Sequence, residues 1–132
     1  MKTPNILVAL MMTAACVGSY AGSDAIYVPS DKSLTTLNEM KGLLKAKIKA
    51  GEKPSGFIKS GRFYYNADIT RSATLFYDSK AGDLFWLQAA CSGDYPTKFR
   101  IQEINEKESM HWAAPEDGSV AMEVSRHICM NN

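Results

Sequence analysis

The chain of 132 residues has few side chains of the kinds that metal and nucleophile chemistry use: two histidines and three cysteines. It contains no Cys-x-x-Cys pair, no zinc-protease histidine pattern, no G-x-S-x-G turn and no phosphate-binding glycine loop. No pair of carboxylates is marked as catalytic by its spacing. We therefore expect no enzyme activity, no metal centre and no cofactor.

One alternative to that expectation is a soft-metal site built from C-terminal residues. Thioether, imidazole and thiol groups are present in Met110, His111, His127, Cys129 and Met130. Such ligands suit copper in an oxidising compartment. Their spacing shows no metal-binding repeat, however, and Cys129 is better used in a disulfide.

The chain also has almost no excess of one charge. Fifteen Lys and Arg residues stand against fourteen Asp and Glu, for a formal net charge of +1. Nucleic-acid binding requires a clustered basic surface, which this balance does not indicate. We expect no nucleic-acid partner.

A bilayer-spanning apolar run of roughly 20 residues is absent as well. The chain instead begins with the three parts of a secretory signal: Lys2, an apolar run from Ile6, and Ser19-Tyr20-Ala21 as a cleavage site. We therefore expect residues 1–21 to be a signal peptide. The mature chain should have no transmembrane span and lie outside the cytoplasm, in a bacterial periplasm, on the outer surface or secreted.

A second cleavage pattern overlaps the first. Thr13-Ala14-Ala15-Cys16 resembles a lipoprotein box, in which Cys16 becomes the lipidated N-terminus, although Thr13 stands where an aliphatic residue is usual. Simple secretion remains the main prediction and lipidation of Cys16 the alternative. In both cases Cys16 is unavailable to the fold. The remaining cysteines, Cys91 and Cys129, can pair in an oxidising compartment, so we predict a disulfide between them.

Residues 22–55 predict a polar leader followed by an amphipathic helix. Thr36 and Glu39 have the spacing of a capping box, and Gly51 is a natural stop. The apolar residues that recur with helical period are Leu37, Met40, Leu44 and Ile48. A lysine stripe flanks them, at Lys41, Lys45 and Lys49. The stripe is a candidate surface for a membrane or an acidic partner, or simply a solvated flank.

Residues 56–132 predict an antiparallel sheet and a C-terminal helix. Strand patterns cover residues 62–65, 73–77, 83–91 and 97–104, with a further short strand at 109–113. The strand from Asp83 is apolar on both faces, so both should be covered. One cover is the C-terminal segment with Val120, Val124 and Ile128, and the other is the lysine-flanked helix or a second subunit. The fold class is α+β.

Part of the chain resembles the bacterial surface-adhesin protein E-like domain family. The resemblance rests on an aromatic strand ending in Cys91, then Trp112 and Pro115, then Gly118-Ser119 before a final helix closed by Cys129. It implies an antiparallel sheet with a C-terminal helix tied to it by the Cys91–Cys129 bridge. It also implies an exported, often surface-exposed protein, some of whose relatives bind host proteins.

The aromatic residues carry the binding prediction. Of Phe63, Tyr64, Tyr65, Phe76, Tyr77, Trp86 and Trp112, we expect at least five to be largely buried. Tyr64 and Tyr95 are the candidates for exposure and, with the lysine stripe, for binding. The leading hypothesis is a binding domain for a protein partner at the cell envelope or host surface, with homodimerisation as a further option. The alternative is a periplasmic inhibitor or immunity-type protein that blocks an enzyme.

Overall fold

The computed structural model describes residues 25–131, so the predicted signal peptide and Cys16 lie outside the described residues. Residues 25–131 form a five-stranded antiparallel sheet and two helices. The helices are α1 (Leu34–Lys49) and α2 (Val120–Met130). The strands pair in chain order: β1 (Phe57–Ser60), β2 (Phe63–Asn66), β3 (Ala73–Asp78), β4 (Asp83–Ser92) and β5 (Tyr95–Glu103). The predicted α+β class is confirmed.

The sheet lies between two hydrophobic clusters, one on each face. The cluster beneath α2 includes Phe85, Leu87, Phe99, Val124 and Ile128. The cluster beneath α1 includes Leu37, Leu44, Tyr77, Leu84 and Trp86. Because β4 contributes alternate residues to both clusters, its apolar character on both faces is explained. The two predicted covers of this strand are both correct, and within this chain the second cover is α1.

The start of α1 differs from the prediction. Its N-cap is Ser33, whose hydroxyl accepts a hydrogen bond from the Thr36 backbone N–H at 3.1 Å. Thr36 is therefore inside the first turn, and the predicted cap at Thr36 is wrong. Both residues can cap a helix, but the helix begins about one turn earlier than predicted, at Leu34. Leu37 is buried, as its place in the apolar pattern predicted.

α2 begins at the N-cap Ser119, whose hydroxyl accepts from the Met122 backbone N–H at 3.1 Å. At its other end Cys129 forms a disulfide with Cys91 of β4, and their Cα atoms are 5.6 Å apart. The predicted bridge is confirmed, and it fastens the last turn of α2 to the sheet. Val120, Val124 and Ile128 lie on the helical face toward the sheet.

The edge strand β5 is irregular where it leaves the hairpin with β4. Ala90 pairs with Lys98 but Cys91 pairs with Pro96, so Thr97 is an extra residue in a β-bulge. A bulge on an edge strand accommodates proline, which has no N–H to donate. Further along, Met110 donates to the Ile101 carbonyl, while Phe99 and Ala113 exchange backbone hydrogen bonds. The predicted strand at 109–113 is thus reduced to a bridge at Ala113.

The aromatic residues follow the prediction with one exception. Tyr64, Tyr65, Phe76, Tyr77 and Trp86 are buried, which confirms that at least five of the seven are in the core. The expected exposure of Tyr64 is wrong: only 6% of the residue is exposed. Its face of β2 belongs to the cluster that α1 covers, and the sequence pattern of a four-residue strand did not show that cover.

Two serines of α2 allow a matched test of the packing. The hydroxyl of Ser125 is fully buried and has no hydrogen-bond partner. Ser125→Ala should therefore raise the free energy of unfolding by about 1 kcal/mol, because it removes a desolvated hydroxyl and improves helix propensity. Ser119→Ala, the same change at the cap, should lower it by about 1 kcal/mol. Urea denaturation of both variants checks the signs, and a loss of stability in Ser125→Ala would contradict this packing.

Candidate functional site

α1 covers only part of its face of the sheet. Asn38 in its first half donates to the Asn105 side chain at 3.2 Å, which places that half beside the end of β5. Beneath α1, Leu84 and Trp86 of β4 are buried, whereas Gln88 and Ala90 further along are only half-buried. The surface around the β4–β5 hairpin on this face is therefore open to a partner.

Arg100 is the centre of this open surface. Its guanidinium donates through Nε to the Gln88 side-chain oxygen at 2.8 Å and through Nη1 to the Ser109 hydroxyl at 3.1 Å. Gln88 lies directly across the β4–β5 ladder from Arg100 and donates onward to the Arg71 carbonyl at 3.3 Å. Only 9% of Arg100 is exposed. These bonds fix the cation in one position beneath the surface.

Trp112 lies beside two cations. The Arg100 guanidinium carbon is 4.7 Å from the centre of the indole ring, and the Lys98 ammonium is 5.1 Å from it. Both distances are within the range of cation–π attraction. Trp112 is half-buried and Lys98 is exposed, so the ring is held in place and still presents a surface to solvent.

A second cation–aromatic pair borders the same surface. The Arg71 guanidinium lies 3.9 Å from the ring centre of Tyr27, in the leader that precedes α1. The leader is anchored by Ile26, which is buried and donates its N–H to the Gln102 side chain at 2.7 Å. We refer to the connected set as the cation–aromatic patch: Tyr27, Arg71, Gln88, Lys98, Arg100 and Trp112.

The backbone at Arg71 is conformationally costly. Arg71 and Ser72 have positive φ angles of 51° and 60°, and Thr70 and Ala73 exchange backbone hydrogen bonds around them. A two-residue turn with positive φ at both central positions favours Asn-Gly, since other residues are strained there. Strain held by a folded structure is enriched at functional sites. The turn presents Arg71 at the patch despite this cost.

Tyr95 is exposed as predicted, but it belongs to another surface. The residue is 51% exposed, and the centre of its ring lies 5.9 Å from the Arg126 guanidinium carbon of α2. Met130, also exposed, follows Arg126 by one helical turn. This small surface lies beside the disulfide, on the α2 side of the molecule. The lysine stripe is separate again: Lys45 and Lys49 are exposed on α1 and Lys41 is half-buried.

The soft-metal alternative loses a ligand in this structure. Cys129 is bonded to Cys91 and offers no thiolate, and His127 Nε2 lies 3.1 Å from the Ala67 carbonyl oxygen. Across residues 25–131, no group of three or more His, Cys, Asp or Glu side chains is placed to hold a metal ion.

Over the same residues, no helix is both long and apolar enough to cross a membrane.

A polar cluster beneath α2 resembles a reactive site but joins structural elements. The Glu123 carboxylate accepts from the Ser60 hydroxyl at 2.7 Å and from the Tyr65 hydroxyl at 3.0 Å. The His127 ring stands edge-on to Tyr65, with centres 5.3 Å apart. These contacts tie α2 to β1 and β2. Burial, the hydrogen bond to Glu123 and that residue's charge raise the pKa of Tyr65 to about 12.

This shift predicts a stability change at alkaline pH. Because the folded-state pKa of Tyr65 lies above its ordinary value of 10.0, protonated Tyr65 favours the fold below pH 10. That contribution should be lost as the pH rises from 10.0 to about 12. Tyrosinate absorbance, compared between the wild type and Tyr65→Phe, measures the titration. Glu123→Gln should lower the Tyr65 pKa and Glu116→Gln should not; equal effects would contradict the assigned cause.

Comparison with known proteins found no matching family model, curated protein or solved structure. The class of the protein is therefore described by its own fold and surface. Residues 25–131 form a disulfide-linked α+β domain with an antiparallel meander between two helices and a cation–aromatic patch beside one of them. Sequence reasoning missed this patch. Its available signal was the alternation of Lys98, Arg100 and Gln102 along β5, together with Trp112.

Proposed function

We propose that this chain is an exported binding domain that recognises a protein partner at the cell envelope or a host surface. The observation that carries the proposal is Trp112, whose ring lies within cation–π distance of both the fixed guanidinium of Arg100 and the exposed ammonium of Lys98. Trp, Tyr and Arg side chains dominate the binding energy of protein interfaces. All three types are joined in the patch.

The rigidity of the patch supports the same function. Arg100 is fixed by side-chain hydrogen bonds and the adjacent ladder, and Trp112 is held by the bridge between Ala113 and Phe99. Residues ordered before binding lose less conformational entropy on association. Fixed anchors on a β-sheet are therefore suited to recognising a folded surface.

Export is supported by the signal-like pattern of residues 1–21 and by the disulfide, a bond that persists in oxidising compartments. The buried Ile26 lies shortly after the predicted cleavage site, so the fold keeps its first anchor when residues 1–21 are removed. Protease shaving of whole cells separates the two locations. It should remove a surface-exposed domain and leave a periplasmic inhibitor intact.

Affinity capture with the mature domain tests the function. Wild type, Trp112→Ala and Tyr95→Ala baits are compared on envelope extract and on host extracellular proteins. A partner retained by wild type and Tyr95→Ala but lost by Trp112→Ala supports the proposal. A partner lost only by Tyr95→Ala places binding at the surface around Tyr95. If shaving leaves the protein intact and the captured partner is an enzyme bound in stoichiometric amount, the inhibitor function is supported instead.

A further inference from the structure

The charged residues of the strands are sorted by sign between the two faces. Asp78, Asp83 and Glu103 lie on the α2 side: Asp78 is opposite Asp83, and Glu103 is opposite the core residue Phe85. The basic strand residues all lie on the α1 side, each directly opposite a residue of that face: Lys59 with Tyr64, Lys98 with Ala90, and Arg100 with Gln88. A chain that is nearly neutral overall thus has a basic face.

α1 strengthens this asymmetry. It lies on the basic face, and its charged residues are Glu39 and the four lysines Lys41, Lys45, Lys47 and Lys49. Of these four lysines, Lys47 alone forms an ion pair with a residue of the described chain, Glu52, at 3.6 Å. A cluster of one sign produces a field that attracts an oppositely charged partner from a distance.

The exposed cations of the patch have their charges available. Within residues 25–131, the side chains of Lys98 and Arg71 form no ion pair. The Lys98 ammonium lies beside the Trp112 ring and the Arg71 guanidinium beside the Tyr27 ring. Two unneutralised cations beside two aromatic rings suit carboxylates presented next to apolar groups. Arg71 in particular can bind a carboxylate through two parallel hydrogen bonds.

We infer that the patch binds an acidic protein surface, which deepens and rests on the proposed function. A nucleic acid is bound through a series of phosphate contacts, whereas the patch itself presents two exposed cations, Lys98 and Arg71, each beside an aromatic ring. A membrane would require an apolar helical face to insert, but Leu37 and Leu44 of α1 are buried against the sheet. The exposed leucines of α1, Leu34 and Leu43, lie on opposite sides of the helix and form no common apolar face. The compact mixture of Trp, Tyr, Arg and an amide is instead typical of a protein interface.

A labelled peptide that alternates glutamate with leucine is the probe, and fluorescence anisotropy of the mature domain measures its binding. Lys98→Glu and Arg71→Glu should each weaken binding about tenfold, and so should raising the salt concentration to physiological strength. Lys80→Glu is the matched control, since Lys80 is an exposed cation at the opposite end of β4, in the turn before it. It should change binding less than twofold, by the order of magnitude expected for a distant exposed charge.

Three results would overturn the inference. Equal weakening by Lys80→Glu would show a general charge effect. Tighter binding of duplex DNA, heparin or anionic vesicles, with the same dependence on Lys98, would assign the patch to another polyanion. Absence of binding to any of these probes would also reject it. The proposed function fails separately: a partner captured through Trp112 with no response to salt or to Lys98→Glu keeps that function and rejects only the acidic surface.

Discussion

Replacing both Cys91 and Cys129 by serine is expected to lower the free energy of unfolding by about 4 kcal/mol. The bridge closes a loop with a sequence separation of 38 residues, and the chain-entropy model gives that value for a loop of this length. The loss should be large because the disulfide is the one covalent link between the last turn of α2 and the sheet, where the other described contacts are side-chain packing and the His127–Ala67 contact at 3.1 Å. Urea denaturation of the mature domain measures it.

Reduction of the wild type provides the control for this double substitution. Reduced wild type should unfold near the midpoint of the serine variant, and the variant should not respond to reductant. The bond itself is checked by the intact mass of unreduced protein after alkylation under denaturing conditions. Alkylation of both cysteines, or an unchanged midpoint in the variant, would contradict a structural disulfide.

Arg62→Met is expected to lower the free energy of unfolding by about 3 kcal/mol. Arg62 donates to Asp78 at 2.9 Å, and the Asp78 side chain is fully buried at the end of β3. The same carboxylate accepts from the backbone N–H groups of Lys80 and Ala81. Removing the guanidinium leaves a buried carboxylate without its counter-charge, which costs about 3–5 kcal/mol in buried pairs. The lower end applies because the Arg62 side chain is 33% exposed.

A substitution of the other member of the pair, Asp78→Asn, is the matched control. Asp78→Asn keeps an oxygen that can accept from Lys80 and Ala81, and it leaves a cation that can reach water and that stacks 4.9 Å from the ring of Phe63. It should therefore cost about half as much as Arg62→Met, on the order of 1–2 kcal/mol. Thermal or urea unfolding gives both values. If Asp78→Asn costs more than Arg62→Met, the pair is not held as the structure shows.

The central part of the fold was predictable because β4 carries an unambiguous pattern. Ten residues with apolar groups on both faces require two covers, and the chain contains two amphipathic segments to supply them. Because Cys16 is unavailable to the fold, Cys91 and Cys129 were predicted to pair, which links the second segment to β4. Local pattern and global packing agree at these positions, so sequence reasoning succeeds there.

Element ends and one short element were not predictable in the same way. The four-residue strand β1 (Phe57–Ser60) has too few residues to show an alternation, and its pairing depends on the adjacent hairpin with β2. The start of α1 was misplaced because Ser33 and Thr36 are both suitable caps. The burial of Tyr64 was missed because its side of β2 is covered by α1, and the short sequence of β2 does not show that a helix packs there.

The patch illustrates what a single sequence conceals. Lys98 and Arg100 follow an ordinary solvent-facing alternation, and Trp112 reads as one more core aromatic. Only the fold places Trp112 beside β5 and brings Tyr27 and Arg71 to the same surface. The charge asymmetry was hidden for the same reason, since the total of 15 basic and 14 acidic residues contains no information on faces.

Site-specific photocrosslinking tests the binding account most directly. A photoreactive amino acid is placed at Lys98, at Tyr95 or at Lys80 in the mature domain, and each bait is irradiated with the extract that contains the captured partner. The account predicts a discrete covalent adduct from position 98 and none from position 80. Adducts from position 95 or 80 without one from position 98 would contradict recognition through the cation–aromatic patch.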